Sequence, residues 1–311
     1  MLAHKLRVCD GGMGSTLALH GLSMETDPLW SARLLHSNPS AIQRVHSDFL
    51  DAGAEILVSN SYQASVEGFV RHLGVSSEEA LALIGNSVRL AQNAAQNTNK
   101  TDILVAGSVG PYGACQNDGS EYTGAHVSGM TDEQLMDWHR PRVKQIVQSG
   151  ASLLAVETLP AVKEALAVLR LLREFPGTKA WITFSCKDGK HTNAGNDFGS
   201  AVQRCCSVGG DALVGVGVNC SCPSLVLPLL ESLDGHPGVP PPDIMPRIVY
   251  PNSGEIWVAG KGWTSNPAPL EWPVEEWARR GARVIGGCCR VAPSDIKTIA
   301  QTVAKINLKN L

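Results

Sequence analysis

The chain reads as an α/β protein, a single (β/α)8 TIM barrel over residues 1–311, and three observations carry that expectation. Eight short apolar runs rich in Val, Ile and Leu recur along the chain, most followed by a segment with apolar residues at helical spacing. The length, 311 residues, is roughly what such a barrel occupies. Three helix-to-strand turns share one form, Asp51-Ala52-Gly53-Ala54, Gln148-Ser149-Gly150-Ala151 and Arg279-Arg280-Gly281-Ala282, where glycine supplies a left-handed helix stop. A doubly wound open sheet is the competing arrangement. Against it, Gly11-Gly12-Met13-Gly14 does not match a dinucleotide-binding fingerprint, and no phosphate-loop lysine motif occurs.

The elements follow in order. Residues 6–10 form a first strand, stopped by the glycines at 11, 12 and 14. Asn38-Pro39 opens a helix in which Ile42, Val45, Phe49 and Leu50 share one face. Residues 55–59 are the second strand. Ser76 caps a long helix to about residue 96, and 103–107 are the third strand. The loop at 108–129 is long and rich in Gly, Ser, Tyr and Asp, and loops of that length are usually functional or disordered. Thr131, with Gln134 three positions on, caps a helix through residue 148 that leads into a fourth strand at 153–157. Helix 161–174, strand 180–185, helix 199–208 and strand 212–218 continue the rhythm. A helix over 223–233 starts with proline, whose missing donor does no harm there. The Pro-rich stretch 237–242 is a surface linker into strand 247–250. Helix 273–280, strand 281–285 and helix 293–305 close the barrel.

Composition narrows the function. A formal net charge of −3 offers no electrostatic case for nucleic acid or an anionic membrane surface. No run approaches the ~20 apolar residues of a membrane span, and the N-terminus has no apolar signal core. A soluble, cytoplasmic protein is expected. Nine cysteines, an odd number with vicinal pairs, suit a reducing compartment with metal-bound and free thiols better than structural disulfides.

Barrel active sites lie at the C-terminal ends of the strands. This chain places there Asp10, Asn60 with Tyr62 and Gln63, Ser108, Glu157 with Thr158, Ser185, Asn219 with Cys220, Tyr250 with Asn252, and Cys288 with Cys289. The set is acidic and sulfur-rich, without a basic cluster for phosphate. In Val284-Ile285-Gly286-Gly287-Cys288-Cys289 the strand ends at two glycines, so both adjacent thiols are free to face one point, as neighbours in a regular strand are not. Cys220 offers a third thiol from another strand end. Three thiolates suit zinc over magnesium or calcium and leave a fourth position open, as in catalytic sites. Cys222 is a competing ligand, ranked lower because it immediately precedes the helix-starting Pro223.

Four motifs together, Asp10-Gly11-Gly12, Val156-Glu157-Thr158, Val218-Asn219-Cys220 and Gly286-Gly287-Cys288-Cys289, resemble the homocysteine S-methyltransferase family, zinc-dependent (β/α)8 barrels that make methionine. The resemblance covers essentially the whole chain. Asn60-Ser61-Tyr62-Gln63-Ala64-Ser65, Asp118-Gly119-Ser120-Glu121-Tyr122-Thr123-Gly124 and Tyr250-Pro251-Asn252-Ser253-Gly254-Glu255 resemble its S-methylmethionine and S-adenosylmethionine branch. The resemblance implies one Zn2+ per chain on Cys220, Cys288 and Cys289. It also implies Asp10 and Glu157 at the ammonium of L-homocysteine, Asn219 supporting the ligand loop at the substrate site, and Tyr62 and Gln63 near substrate or donor. The chain departs from the family's common pattern at Cys9, usually an apolar residue, and at Cys222. The nucleophile is the substrate's own zinc-activated thiolate, with no protein nucleophile. An acidic pocket, with Asp10, Glu121, Glu157 and Glu255 as candidates, would attract a sulfonium donor.

Betaine-using relatives carry a C-terminal extension and folate- or cobalamin-using ones carry extra domains. This chain ends soon after its last helix, so S-methylmethionine is expected ahead of S-adenosylmethionine, in a monomer or weak oligomer. Betaine as donor and selenocysteine-type acceptors are the alternatives on the same barrel. Two further classes compete: a Schiff-base lyase or aldolase on Lys187 or Lys261, and a non-catalytic thiol-rich zinc-binding protein.

Overall fold

The structure is a computed structural model and describes residues 2, 5–24, 26–116, 118–255, 257–258, 262–263 and 272–309. Its strands are β1 (Arg7–Val8), β2 (Ile56–Val58), β3 (Leu104–Val109), β4 (Leu153–Leu159), β5 (Lys179–Phe184), β6 (Leu213–Asn219), β7 (Arg247–Tyr250), β8 (Trp257–Val258), β9 (Gly262–Trp263) and β10 (Ala282–Ile285). Among the described residues, β8 and β9 pair with each other, antiparallel. The other eight form one parallel sheet in the order β1-β10-β7-β6-β5-β4-β3-β2. The two ends of that order meet. Glu55 N–H donates to Val8 O at 2.8 Å and Asp10 N–H to Ile56 O at 3.0 Å, with a parallel bridge between Cys9 and Ile56. The sheet is therefore a closed barrel, and the open doubly wound arrangement is ruled out.

Side-chain alternation sorts the core into two layers. Cys9, Ile56, Ala106, Ala155, Trp181, Ile248 and Val284 pack inside the barrel. Val8, Leu57, Leu154, Val156, Ile182 and Ile285 face the surrounding helices. Trp181 is the bulkiest interior residue, fully buried, and its indole N–H donates to the Tyr250 hydroxyl at 3.0 Å.

The expected helix signals operate as read. Ser76 with Glu79 and Thr131 with Gln134 form reciprocal capping boxes. The Asn38 side chain accepts from Ala41 N–H ahead of a helix that begins at Pro39. Gly53, Gly150 and Gly281 all hold positive φ, at 110°, 95° and 90°. Three helices were not expected. Met13–Leu19 has no side-chain cap, only Gly12, and Leu34–Ser37 is a single turn. Val66–Leu73 packs just one fully buried residue, Phe69, so its apolar stripe is thin. The Pro-rich 237–242 stretch is more than a linker. Arg247, almost wholly buried, donates to Pro240 O and to Met245 O, each at 2.9 Å, and stitches the stretch to the base of β7.

Replacing Trp181 by Ala empties the barrel interior and also strips a hydrogen bond from Tyr250. Urea denaturation is expected to show a loss of about 3–5 kcal/mol. A loss under about 1 kcal/mol would mean that the interior collapses around the gap.

Candidate metal centre and substrate cavity

The sheet order sets β7 between β6 and β10, and their C-terminal ends are tied together by backbone hydrogen bonds. Cys220 N–H donates to Tyr250 O at 3.1 Å, Gly286 N–H to Val249 O at 3.0 Å and Cys288 N–H to Pro251 O at 2.8 Å. Ser253 N–H donates to Cys289 O at 3.1 Å. This stitching brings together thiols separated by almost 70 residues. Cys220 Sγ lies 3.5 Å from Cys289 Sγ, Cys288 Sγ lies 4.0 Å from Cys289 Sγ, and all three fall within 4.8 Å of one another. Sulfurs about 2.3 Å from a tetrahedral zinc stand about 3.8 Å apart, so this spacing fits a single ion. No other cluster of three such ligands occurs among the described residues. Cys222 points elsewhere, with Sγ 3.2 Å from Ser224 Oγ. The trio's protons are unevenly held. Hydrogen bonds from Cys220 and Cys288 draw the Cys289 thiol well below its ordinary range, while the same contacts and burial push Cys288 up.

The glycines before the vicinal pair act through close approach rather than a left-handed turn. A Cβ on Gly286 would lie 2.7 Å from both Cys9 Cβ and Cys9 O, and one on Gly287 would lie 2.1 Å from Val291 Cγ1. The backbone instead turns left-handed at non-glycine residues. Among the described residues five other than glycine have positive φ, and four of them, Trp30 (47°), Thr158 (59°), Cys220 (47°) and Arg290 (65°), line one cavity. Such conformations cost on the order of 1–3 kcal/mol each and persist where neighbours enforce them. For Thr158 the enforcement is visible. Asn219 Oδ1 accepts from Thr158 N–H and its Nδ2 donates to Thr158 Oγ1, both at 2.7 Å.

The cavity has a volume of about 200 Å3 and opens at the C-terminal mouth of the barrel. Asp10, Tyr62, Gln63, Glu157, Cys220, Cys288 and Cys289 all line it. Asn219 does not; it is fully buried with its amide spent on Thr158, so it braces the strand end that carries Cys220. Gln63 donates to Ala114 O at 3.4 Å. Of the four candidate acids, Glu255 is tied to Arg290 at 2.8 and 3.0 Å, whereas Asp10, Glu121 and Glu157 face the cavity. Lys187 is exposed and does not line the cavity, and Lys261 lies outside the described residues. Trp30 and Met24 also wall the cavity, in a segment without regular apolar spacing. The one available sequence signal was the aromatic at position 30 itself.

Asp10 and Glu157 are 5% and 8% exposed. Asp10 accepts from Val58 N–H at 2.8 Å, and Glu157 accepts from the Ser108 hydroxyl at 2.5 Å. Burial nevertheless pushes Asp10 up to about 8, the nearby charge of Glu157 adding to it, and burial pushes Glu157 up to about 7.

A closed barrel with a thiol cluster and two buried carboxyls at the C-terminal mouth of its strands has the layout of a (β/α)8 enzyme site. The chain belongs to the homocysteine S-methyltransferase family, whose model matches residues 7–303, and it is thus an enzyme of the methyltransferase class. It is 40% identical to a betaine-homocysteine S-methyltransferase of Drosophila melanogaster, over 96% of this chain and 94% of that one. It is 39% identical to a homocysteine S-methyltransferase of Escherichia coli, over 93% of each. The structure of the homocysteine methyltransferase MmuM from Escherichia coli, metallated form, superposes with a TM-score of 0.81 at 36% identity, covering 96% of both chains. The fruit-fly relative bears a betaine name at nearly the same length, so chain length does not separate the donors. No helix among the described residues is long and apolar enough to cross a membrane.

The two raised carboxyls give a pH signature with a definite sign. Between about pH 4 and 8 the folded chain holds protons that the unfolded chain has released, so stability falls as pH rises through that window. Asp10→Asn is expected to flatten the fall between pH 5 and 8.5, by on the order of a few kcal/mol in substrate-free protein followed by urea denaturation. An unchanged slope would show that Asp10 titrates normally.

Proposed function

We propose that this protein transfers a methyl group from a sulfonium donor, S-methylmethionine ahead of S-adenosylmethionine, to the sulfur of L-homocysteine, forming methionine. The observation that carries this reading is the convergence of three thiols and two buried carboxyls on one cavity. Cys220, Cys288 and Cys289 would hold one Zn2+, a soft donor set that suits zinc over magnesium or calcium. Zinc bound there supplies the electrostatic pull that lets a thiol, ordinarily of pKa about 8.5, enter as thiolate at neutral pH.

The chain's own residues do the rest. Asp10 and Glu157 bind the homocysteine ammonium, held in place by Val58 N–H and the Ser108 hydroxyl. Asn219 and Thr158 fix the strand end beneath Cys220. Tyr62 and Gln63 wall the cavity on the substrate or donor side. In the transfer, a lone pair on the acceptor sulfur forms the new bond to the methyl carbon. The methyl–sulfonium bond breaks, its electron pair stays with the donor sulfur, and a neutral thioether leaves. With S-methylmethionine both products are methionine. No proton moves at carbon, so alignment of the two sulfurs is the protein's main contribution. Beyond Asp10 and Glu157, which the homocysteine ammonium would occupy, Glu121 lines the same cavity and favours a donor that carries net positive charge. We read residues 1–311 as one catalytic domain acting in the cytoplasm as a monomer or weak oligomer.

Betaine as donor is the second reading, favoured by the name of the fruit-fly relative. A selenocysteine-type acceptor is chemically close, and a relative named selenocysteine methyltransferase, of Astragalus bisulcatus, is 37% identical. A donor-by-acceptor matrix on zinc-loaded protein separates these readings. Methionine is expected from homocysteine with S-methylmethionine, less with S-adenosylmethionine and none with betaine. Product from betaine alone would overturn the donor assignment. Zinc content is expected at one per chain and below about a tenth of that in Cys289→Ala. Full zinc in that variant would remove Cys289 from the ligand set.

A further inference from the structure

Arg142 is a buried cation held by carbonyl oxygens instead of a carboxylate. It lies in the outer helix Asp132–Gln148 and is 1% exposed. The buried acid of the next helix, Glu164, pairs with His126 and His139 instead. Nη1 of Arg142 donates to Gly110 O at 3.1 Å, and Nη2 donates to Ser61 O and to Tyr62 O, both at 2.9 Å. Its Cζ lies over the Trp138 ring, 5.0 Å from the centroid. Taking a charge out of water is costly unless polar partners replace the solvent. The planar guanidinium fork is the side-chain group able to reach several carbonyls at once. The three carbonyls belong to the site loops. Gly110 follows β3, and Ser61 and Tyr62 follow β2, so one guanidinium joins the ends of two paired strands. The same loops are tied by Ser61 Oγ, which donates to Ser108 O at 2.8 Å, and by the Cys115 thiol, which donates to Gln63 O at 3.3 Å. The Tyr62 ring rests on the Gly110 backbone, where a Cβ would lie 2.5 Å from Tyr62 Cδ2 and 2.6 Å from Cε2. Tyr62 also lines the cavity. Burial, and after it the charges of Tyr122, Cys220, Glu121 and Cys288, push its phenol well up, which puts the hydroxyl toward the thiol side.

We infer that Arg142 is a positioning residue for the cavity wall made by Tyr62 and Gln63. It does not line the cavity itself. It acts by holding the carbonyl oxygens on both sides of Tyr62, those of Ser61 and of Tyr62 itself, against the backbone of Gly110. The wall is thereby set from the outer helix layer before any ligand arrives. The inference rests on the proposed methyl transfer and deepens it. Alignment of two sulfurs is the main task of that reaction, and a displacement of about 1 Å in a group that shapes the cavity can cost on the order of a hundredfold in rate.

The test uses zinc-loaded wild type, Arg142→Lys, Arg142→Met, Tyr62→Ala and the double variant Arg142→Lys with Tyr62→Ala, assayed with homocysteine and S-methylmethionine. Lysine keeps the charge and loses the fork. Arg142→Lys is expected to lower kcat/KM about tenfold and Arg142→Met about a hundredfold, with zinc content unchanged. Because the effect passes through Tyr62, the double variant is expected to match Tyr62→Ala within about twofold. Losses that multiply in the double variant would overturn the inference, and so would wild-type kcat/KM in both Arg142 variants. Amide hydrogen exchange reads the same point without turnover. In Arg142→Lys the amides of residues 61–64 and 112–115 are expected to exchange about tenfold or more faster, with those of β4 to β6 unchanged. Unchanged exchange in the two loops, or equal acceleration throughout the barrel, would overturn the inference. A wild type that methylates homocysteine from no sulfonium defeats the proposed function, and the exchange result still decides the role of Arg142.

Discussion

The backbone hydrogen bonds across the ends of β6, β7 and β10 are the constraint on which the site depends. β7 lies between the two strands that carry thiols, and Tyr250 O and Pro251 O accept from Cys220 and Cys288 on either side. Those bonds, rather than any disulfide, bring sulfurs from distant parts of the chain to 3.5 and 4.0 Å. The arrangement is enforced against local preference. Cys220 and Arg290 both hold left-handed backbone, and the glycines between β10 and the vicinal pair leave no room for a side chain. A barrel closed by eight parallel strands can hold such strain, because no strand end can move without its neighbours.

Around that cluster the chain concentrates acid where burial makes it expensive. Asp10 and Glu157 are pushed toward neutrality by burial, so a cation bound beside them, as in the proposed function, would restore their charge. Glu255 stands nearby but is neutralised by Arg290, which keeps the rim from adding a fourth free carboxylate. The cavity's charge is thus graded, acidic inside and balanced at the mouth.

Much of this was legible in the residues. Buried parallel strands are continuous apolar runs, so all eight could be found from composition alone, and capping pairs such as Ser76 with Glu79 marked the helices between them. Strand ends are positions of known meaning in a barrel, which is why Asp10, Glu157, Cys220, Cys288 and Cys289 could be singled out together. What escaped was whatever depends on contact across the mouth. Asn219 bears on the site by bracing Thr158, a partnership some 60 residues away that no local pattern records. Trp30 reaches the cavity from the start of a short 3-10 turn at φ 47°, and Glu255 is removed from the acidic set by an arginine 35 residues on. Gly286 and Gly287 end the strand as expected, but the reason glycine is needed there is a contact across the chain. They admit Cys9 and Val291 at close range.

X-ray absorption at the zinc edge, before and after homocysteine is added, tests most directly whether the three thiols form the reaction's seat. Three sulfur scatterers at about 2.3 Å are expected in the resting protein, rising to four with the substrate. Fewer than three sulfurs at rest, or a first shell unchanged by homocysteine, would contradict the assignment of this cluster as the acceptor site.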